Sequence, residues 1–490
     1  MLALGHDGPI KMYVCGPTVY SHTHLGHMKT YVSFDIIRRI IEDHFKMPTQ
    51  FMINITNIDD KIIKNTYEEK YGKCDLSMLD PGKFLQESEF RAFAHKWEKS
   101  FFDVMDKLNV KRPNIVSRVT EYIPEILKFV EKIEDKGFAF EDSGSVYFHG
   151  TKYHKTDDEN KDPSNPHNFV LLKKKKSYEP GWDSKWGKVR PGWHIECSVM
   201  ASAVFGDSID IHGGGIDLKF PHHQNEELQS KVHHFATSKG IDKNKKWVQR
   251  FMHTGHLNID GLKMSKSLKN FITASEALEK YSPDQIRMLF LTHQWNDPMN
   301  YSEESMATSN VLFEGFINFR KQITSALIML SSDGCNKMLK EDIELSNILG
   351  QTKINVNNAL SYSFDTPKSI KLLQKLCSDT YIYLHNSKNP IEQLLKDILG
   401  YVETTLSMFG LQLDSATSDL LINRNTKYDE LIKTIAHYRT NLRTEAIDVI
   451  KKVKKIDKTL ATELGKNLFT LTDNIRDHIK ENFDVDLVDT

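Results

Sequence analysis

The first part of the chain shows the hydrophobic pattern of a strand, then that of a helix, and then that of a strand again. Lys11–Cys15 is short and β-prone, and Gly16-Pro17-Thr18 interrupts it. From Leu25 to Phe45, apolar residues recur at helical spacing, and Gln50–Thr56 forms a second buried, β-prone run. This strand–helix–strand order predicts a βαβ unit in an open parallel sheet. Ligand sites of such sheets lie at the carboxyl ends of the strands.

The hydrophobic pattern changes further along the chain. Helices are expected from about Ser88 to Gly137, and a small loop-rich insertion at Gly144–Lys176. The α/β pattern returns in three stretches: Trp193–Phe205, Asp207–His212 and Arg250–Asn258. Past about Tyr301, apolar residues recur almost entirely at helical spacing, with few Gly or Pro, which predicts an all-helical bundle.

These changes divide the chain into an α/β core, an insertion and a helical part, with the last boundary near Tyr301–Asn310. The predicted domains are residues 1–120 (first half of the core, with a surface insertion at about 67–93), 121–187 (connective insertion), 188–255 (second half of the core), 256–309 (linking domain) and 310–490 (helical bundle).

Composition excludes several classes of protein. Lys and Arg total 65 against 66 Asp and Glu, so the net charge of −1 argues against a polybasic protein, although a local basic surface is still possible. The five scattered cysteines do not suggest a disulfide framework, and a reducing compartment is expected. No apolar run approaches the ~18 residues of a membrane span. The residues Met1–Ile10 lack the features of a signal peptide, so a cytoplasmic protein is expected.

Two short motifs suggest phosphate chemistry. His22–His27 (HTHLGH) follows the first strand and opens a helix, where backbone N–H groups and the helix dipole attract phosphate. Lys263–Ser267 (KMSKS) follows a turn signal, and its two lysines could neutralise charge on a transferring phosphoryl group. Taken singly, each motif also fits a plain surface element, a His-rich turn or a basic loop.

A third group of residues could hold a metal ion. Cys15 ends the first strand, Cys197 lies in a later segment, and Pro221–Glu227 contains two histidines and two glutamates. Two thiolates, one imidazole and one carboxylate can form a zinc site. A His and a Glu four residues apart share a helix face. Two such pairs exist, His222 with Glu226 and His223 with Glu227, and their spacing does not choose between them.

Together, HTHLGH near the start and KMSKS well downstream resemble the signature of class I aminoacyl-tRNA synthetases. Longer segments resemble the cysteinyl-tRNA synthetase family in particular, in its eukaryotic-type form: Cys15–Tyr20, Asn54–Lys61, Gly192–Cys197, His212–His223 and Lys263–Ser267. The resemblance implies an α/β fold, with a Rossmann-like nucleotide-binding core, an inserted connective subdomain and an all-α helical bundle that binds tRNA.

The resemblance also implies roles for individual residues. It implies one Zn²⁺ per chain held by Cys15, Cys197, His222 and Glu226. It implies a cysteine pocket made of Gly16, Thr56, Trp193, Asp217 and His222. It implies ATP binding by His24, Gly26, His27, Lys61, Lys263 and Lys266, of which His24, His27, Lys263 and Lys266 are catalytic.

The implied reaction joins L-cysteine to tRNA(Cys). ATP, entering with Mg²⁺, activates cysteine to cysteinyl-adenylate, and the terminal ribose of the tRNA then accepts the cysteinyl group. Zinc would distinguish cysteine from serine by binding the thiolate. Between Leu421 and Thr470, eleven Lys or Arg stand against six Asp or Glu, so this region is the first candidate for tRNA phosphate contacts. Lys173–Lys176 is the second.

Two other functions share these motifs. A related cysteine ligase would pass cysteine to an amino sugar, but the long helical part after about Asn310 argues against it. A catalytically inactive, RNA-binding relative would not need complete HTHLGH and KMSKS sequences. Cysteine-dependent exchange of pyrophosphate into ATP and charging of tRNA separate the three possibilities.

Overall fold

The computed structural model describes residues 8–154, 161–237, 240–242, 244–259, 261–263, 271–330, 337–413 and 441–483. Contacts divide the chain into two compact units, Met1–Met306 and Ala307–Thr490.

The first unit contains the strands. Among the described residues they are, in chain order, β1 (Ile10–Val14), β2 (Thr49–Ile55), β3 (Ile115–Arg118), β4 (Ala139–Asp142), β5 (Ser145–Phe148), β6 (Phe169–Lys174), β7 (Trp182–Ser184), β8 (Gly187–Pro191), β9 (Ile209–Gly215), β10 (Ala236–Thr237), β11 (Gly240–Ile241), β12 (Val248–Thr254), β13 (Leu257–Ile259), β14 (Leu262–Lys263) and β15 (Met299–Tyr301).

Five of these strands form a parallel sheet in the order β12-β9-β1-β2-β3. Met12 in the middle of β1 lies opposite Phe51 of β2 and Ile211 of β9, and all three side chains are buried. The chain runs from β1 outward to β3, then crosses to β9 on the other side of β1. This reversal of strand order lies beside the carboxyl ends of β1 and β9, where open α/β sheets bind ligands.

The helices are α1 (Leu25–Arg39), α2 (Asp60–Tyr71), α3 (Glu87–Lys107), α4 (Ile123–Asp135), α5 (Gly150–His154), α6 (Trp193–Phe205), α7 (Gln224–Phe235), α8 (Ala274–Lys280), α9 (Pro283–Leu291), α10 (Glu303–Met329), α11 (Lys340–Ser363), α12 (Thr366–Asn386), α13 (Glu392–Met408) and α14 (Lys458–Phe483). Residues 441–454 are also helical. Short 3₁₀ turns lie at Leu76–Met78, Pro81–Lys83, Val119–Glu121 and Ile216–Leu218, and π turns at Ile40–His44 and Lys219–His223.

The two strands predicted at the start of the chain are confirmed, and their bounds are correct to within one residue. The predicted helix from Leu25 to Phe45 is α1 followed by the π turn Ile40–His44. Two other expectations are wrong. The stretch predicted as helical up to Gly137 contains β3, a four-residue edge strand too short to show a period of its own. The insertion predicted as loop-rich at Gly144–Lys176 contains β5 and β6, which belong to an antiparallel sheet in the order β4-β5-β6-β8-β7.

The second unit is helical in all its described parts. Tyr383 of α12 is buried and donates its hydroxyl to Asp342 of α11 at 2.6 Å, and the same oxygen accepts from the backbone of Ile391 at 2.9 Å. These bonds connect the ends of three successive helices. In the part of the chain that the model covers, no helix combines the length and the apolar character needed to cross a bilayer.

Candidate active site

The four predicted metal ligands come from four different parts of the first unit. Cys15 follows β1, where its backbone N–H donates to Gly213 of β9 at 2.9 Å. Cys197 lies in the second turn of α6, His222 in the π turn before α7, and Glu226 in the first turn of α7. All four side chains are buried. Parallel pairing of β1 with β9 therefore brings the first cysteine to the segment that carries the histidine and the glutamate.

The ligand atoms of these four residues lie within 4.8 Å of one another. Cys15 Sγ is 3.7 Å from Cys197 Sγ, 3.6 Å from His222 Nε2 and 3.7 Å from Glu226 Oε1. His222 Nε2 and Glu226 Oε1 are 3.0 Å apart. With bonds of about 2.3 Å to sulfur and about 2.0–2.1 Å to nitrogen or oxygen, a tetrahedral zinc separates its ligand atoms by roughly 3.4–3.8 Å. The three distances from Cys15 lie in that range and the distance between His222 and Glu226 is shorter, so the donor set fits zinc once that pair separates slightly.

Further histidines orient the ligands. His212 Nε2 lies 2.9 Å from the second carboxylate oxygen of Glu226, and His194 Nδ1 lies 2.9 Å from Nδ1 of His222. Such outer partners hold a ligand in its binding orientation. Burial raises the pKa of the Cys197 thiol, but the hydrogen bond from Cys15 and the charge of His222 lower it by a larger amount. The pKa therefore falls to about 6. Cys197 is therefore prepared to act as a thiolate at neutral pH.

The geometry also bears on the two His–Glu pairs that spacing left open. The group containing both cysteines includes His222 and Glu226. His223 lies 2.9 Å from His253 through its Nδ1, and Glu227 forms an ion pair with Lys231 at 3.0 Å. A second group, Cys15 with His212, His223 and Glu226, shares two residues with the first but contains one cysteine. Packing of α7 turns Glu227 away from the thiols.

Among the five predicted pocket residues, His222 belongs to the metal group, Trp193 stacks on it, Gly16 follows Cys15 in the chain, and Thr56 bonds the neighbour of Cys197. The Trp193 ring stacks on His222 with 4.4 Å between centroids, and 41% of the tryptophan remains exposed. Gly16 packs so closely on β2 that an added Cβ would lie 1.6 Å from the carbonyl oxygen of Asn54. Thr56 donates its hydroxyl to Glu196 at 3.3 Å. The fifth residue, Asp217, lines the neighbouring cavity instead.

That cavity has a volume of about 200 Å³ and lies at the start of α1. Its lining includes His24, Gly26, His27 and Asp217, together with Thr254–Leu257 after β12. The two histidine rings stack with 3.6 Å between centroids, and the His27 backbone N–H donates to His24 Nδ1 at 3.3 Å. Burial and the adjacent His24 lower the pKa of His27 to about 3, so it is neutral at physiological pH. The backbone N–H groups at a helix start suit a phosphate group.

Of the three predicted ATP-binding lysines, only Lys61 has a side chain within the described part of the chain. Lys61 lies in the first turn of α2, with its ammonium 5.1 Å from the centre of the Tyr20 ring, and it is not among the residues that line the cavity. Lys263 belongs to β14 by its backbone. Lys266 lies outside the described residues.

The sequence analysis missed several residues that support the site. They are Asn54, His194, Glu196 and His212, all within segments that resemble the family. Asn54 is buried and its Oδ1 accepts from Tyr13 Oη at 3.0 Å and from the Gly16 N–H at 2.8 Å. Its polar side chain within the apolar run from Phe51 to Ile55 was the available signal, because a buried amide needs partners.

The candidate tRNA contacts are described in part. Lys173 in β6 forms an ion pair with Asp60 at 2.7 Å, and the Lys173–Lys176 segment lines a groove beside α2. Of the basic region from Leu421 to Thr470, residues 421–440 lie outside the described residues. The rest is helical in residues 441–454 and in α14, where several lysines such as Lys451 are exposed.

Comparison with known proteins identifies the family of this fold. Residues 2–311 match the family model described as tRNA synthetases class I (C) catalytic domain. A cytoplasmic cysteine–tRNA ligase from Dictyostelium discoideum is 36% identical, covering 97% of this chain and 72% of that protein. A cysteine–tRNA ligase from Encephalitozoon cuniculi is 39% identical over 87% of both chains, and one from Methanococcus vannielii is 36% identical over 96% and 94%.

Solved structures show the same fold at low sequence identity. A Mycobacterium tuberculosis methionyl-tRNA synthetase bound by methionyl-adenylate aligns with a TM-score of 0.59 at 14% identity, covering 82% of this chain and 90% of that one. A LeuRS–tRNA–LeuAMS ternary complex from Agrobacterium radiobacter K84 aligns with a TM-score of 0.60 at 11% identity, over 83% and 84%. The α/β core with a following helical region is therefore the class I synthetase fold.

Proposed function

This chain belongs to the cysteine–tRNA ligase family of class I aminoacyl-tRNA synthetases, and from that membership we propose how its own residues activate L-cysteine and charge tRNA(Cys). The observation that carries the proposal is the buried group of two cysteines, a histidine and a glutamate beside the phosphate cavity. A cysteine side chain could reach the first while its carboxylate meets ATP at the second.

In the first step, the cysteine carboxylate attacks the α-phosphorus of ATP and pyrophosphate leaves. The nucleophile is already ionised, so the enzyme contributes position and charge neutralisation more than a general base. His24, His27 and the N–H groups at the start of α1 bind the phosphates. Lys263 and Lys266 neutralise the charge that develops on them, with Lys61 as a further nucleotide contact and Mg²⁺ bound together with ATP.

The choice of amino acid depends on the metal group. Cys15, Cys197, His222 and Glu226 would hold one Zn²⁺, which supplies a Lewis-acid site that takes a soft thiolate in preference to a hydroxyl. Gly16 follows Cys15 and packs against β2, Thr56 bonds Glu196 beside Cys197, and Trp193 stacks on His222. These three residues would line the space for the cysteine side chain. Asp217, on the side of the phosphate cavity, is suited to bind the ammonium of the substrate.

In the second step, the terminal ribose hydroxyl of tRNA attacks the adenylate and AMP leaves. We propose that residues 310–490 bind the tRNA, that residues 256–309 link them to the core (1–120 and 188–255), and that residues 121–187 are the connective insertion. A unit boundary at Met306 and the exposed lysines after residue 441 support this division. The cytoplasmic name of the Dictyostelium relative supports a cytoplasmic location.

Three assays on the full-length protein test the function. Cysteine-dependent exchange of pyrophosphate into ATP should occur with cysteine and not with serine. Charging of tRNA(Cys) should follow, and raising the salt concentration should weaken tRNA binding more than cysteine binding. Exchange without charging of any tRNA would favour a ligase with another acceptor, and absence of both would favour an inactive RNA-binding relative.

A further inference from the structure

The part of the chain that carries the KMSKS sequence is connected to the core through two adjacent stretches. The chain leaves the parallel sheet after β12 through Gly255–His256 and passes beside this exit again through Trp295–Met299, where β15 begins. We call these two stretches the neck. Lys263–Ser267 lies between these two stretches in the sequence, and Gly255 and His256 of the neck line the phosphate cavity.

The two sides of the neck are in direct contact. The Gly255 N–H donates to the Trp295 carbonyl at 3.1 Å, and the Met299 N–H donates to the His256 carbonyl at 2.8 Å. A Cβ on Gly255 would lie 2.0 Å from the carbonyl oxygen of Asp297, so the approach requires glycine. This close packing leaves two carbonyl groups, those of Gly255 and Asp297, turned toward α1.

One buried ammonium bonds both of those carbonyls. Lys29 of α1 is 2% exposed, and its Nζ donates to Gly255 O at 2.6 Å and to Asp297 O at 3.0 Å. A buried ammonium is costly unless hydrogen bonds replace its water, and here one bond goes to each side of the neck. Burial lowers the pKa of Lys29 to about 8, and the Asp297 carboxylate opposes that change.

The same helix also holds the chain beyond the KMSKS sequence. The Leu25 N–H donates to Ile272 O at 3.1 Å, and the Ala274 N–H donates to Thr23 O at 2.8 Å. The His24 ring lies 5.1 Å from that of Phe271. The HTHLGH segment and the first turns of α1 therefore contact this part of the chain both at its neck and directly after the KMSKS sequence.

We propose that Lys29 is a positioning residue for the activation step: its ammonium fixes the neck, which lines the phosphate cavity through Gly255 and His256, against α1. This role rests on the proposed function, because it concerns the same ATP site. Lys29 lies two residues after His27 but contacts the neck instead of lining the phosphate cavity. It acts through other residues and is not itself catalytic.

A purely structural lysine would behave differently from a positioning one. Losing a structural lysine lowers stability and slows both half-reactions together. Losing this positioning contact should slow the step that needs aligned phosphates and spare the transfer of cysteine from preformed adenylate to tRNA. The ratio of the two rates therefore distinguishes the two roles.

The test uses Lys29→Met in the full-length enzyme, which keeps the length of the side chain and removes its donors. Single-turnover formation of adenylate should fall about a hundredfold, the cost expected of a small misplacement. The cysteine KM, the zinc content and transfer from preformed adenylate should stay within about threefold of wild type. Asp297→Asn is the matched control: it keeps the backbone carbonyl that Lys29 bonds, so adenylate formation should also stay within about threefold.

Two results would overturn the role of Lys29: adenylate formation by Lys29→Met within about threefold of wild type, or an equal loss in both half-reactions. Should Lys29→Met be insoluble, Lys29→Gln keeps amide donors on a shorter side chain, and about a tenfold selective loss is expected. An equal loss in both steps there would overturn the role as well. A wild-type protein without cysteine-dependent exchange would contradict the proposed function and not this role specifically.

Discussion

Asn54 lies under the proposed cysteine pocket, and replacing it should weaken both the fold and cysteine binding. Its side-chain oxygen accepts from Tyr13 Oη at 3.0 Å and from Gly16 N at 2.8 Å, and its amide donates a longer bond to Thr56 at 3.4 Å. Asn54→Leu keeps the number of side-chain heavy atoms and their branching, so it removes the partners without opening a cavity. It removes the acceptor of the buried Tyr13 hydroxyl and of the partly buried Gly16 N–H.

Each unsatisfied buried donor costs about 1–3 kcal/mol, so Asn54→Leu should lower the free energy of unfolding by about 2–6 kcal/mol. A domain of ordinary stability, about 5–15 kcal/mol, can tolerate most of that range. Because Gly16 and Thr56 lose a shared partner, the cysteine KM in the exchange assay should rise by about tenfold, equivalent to about 1.4 kcal/mol. The ATP KM should stay within about threefold.

A matched control comes from the connective insertion. Asn168 is buried, accepts from the Gly150 N–H at 2.9 Å and donates to Asp162 O at 2.8 Å. Asn168→Leu should therefore lower stability by a similar amount and leave the cysteine KM unchanged. Urea unfolding and exchange kinetics on both variants give the comparison. Equal cysteine KM values for the two variants would refute the proposed link between Asn54 and the pocket.

Three further predictions concern the metal, the phosphate loop and the insertion. Cys197→Ala should release zinc and lose the preference for cysteine over serine together, because one of two thiolates is gone; elemental analysis and exchange kinetics measure both, and zinc retained at one per chain would contradict the ligand assignment. Lys266→Ala should slow single-turnover adenylate formation far more than it weakens cysteine binding, since the lysine acts on charge in the transition state; a lost cysteine affinity with a near-normal rate would show that its role is wrong. Burial raises the pKa of Asp60, but Lys173 and Arg190 lower it below its usual range, so the carboxylate stabilises the fold above about pH 4 and loses this effect as the pH falls; Asp60→Asn should therefore be less stable than wild type at pH 7 and should approach it as the pH falls through the lowered pKa, and a stability difference independent of pH would count against the ion pairs.

Local sequence patterns predicted the first three elements. β1 and β2 are short apolar runs that are buried over most of their length, and α1 carries apolar residues at helical spacing, so their bounds were expected to within a residue or a turn. β3 has four residues, too few for a period, and its position at the sheet edge depends on pairing with β2. Short antiparallel strands such as β7 depend in the same way on partners distant in sequence.

The site was predictable as a set of residue types but not as a geometry. His222 with Glu226 and His223 with Glu227 have the same spacing, so only the packing of α7 against Cys15 and the sheet distinguishes them. The role of Lys29 also could not be predicted from the sequence. In the sequence it is one lysine in an otherwise amphipathic helix, and its two partners are 226 and 268 residues away.

Zinc removal from the wild-type enzyme tests the central claim most directly. The measurement is zinc content by elemental analysis, together with cysteine-dependent exchange and tRNA(Cys) charging, before chelation, after it and after zinc is restored. The account predicts one zinc per chain, loss of both activities on its removal, recovery on its return, and no activity with serine at any stage. Full exchange and charging with cysteine in protein that contains no zinc would contradict it.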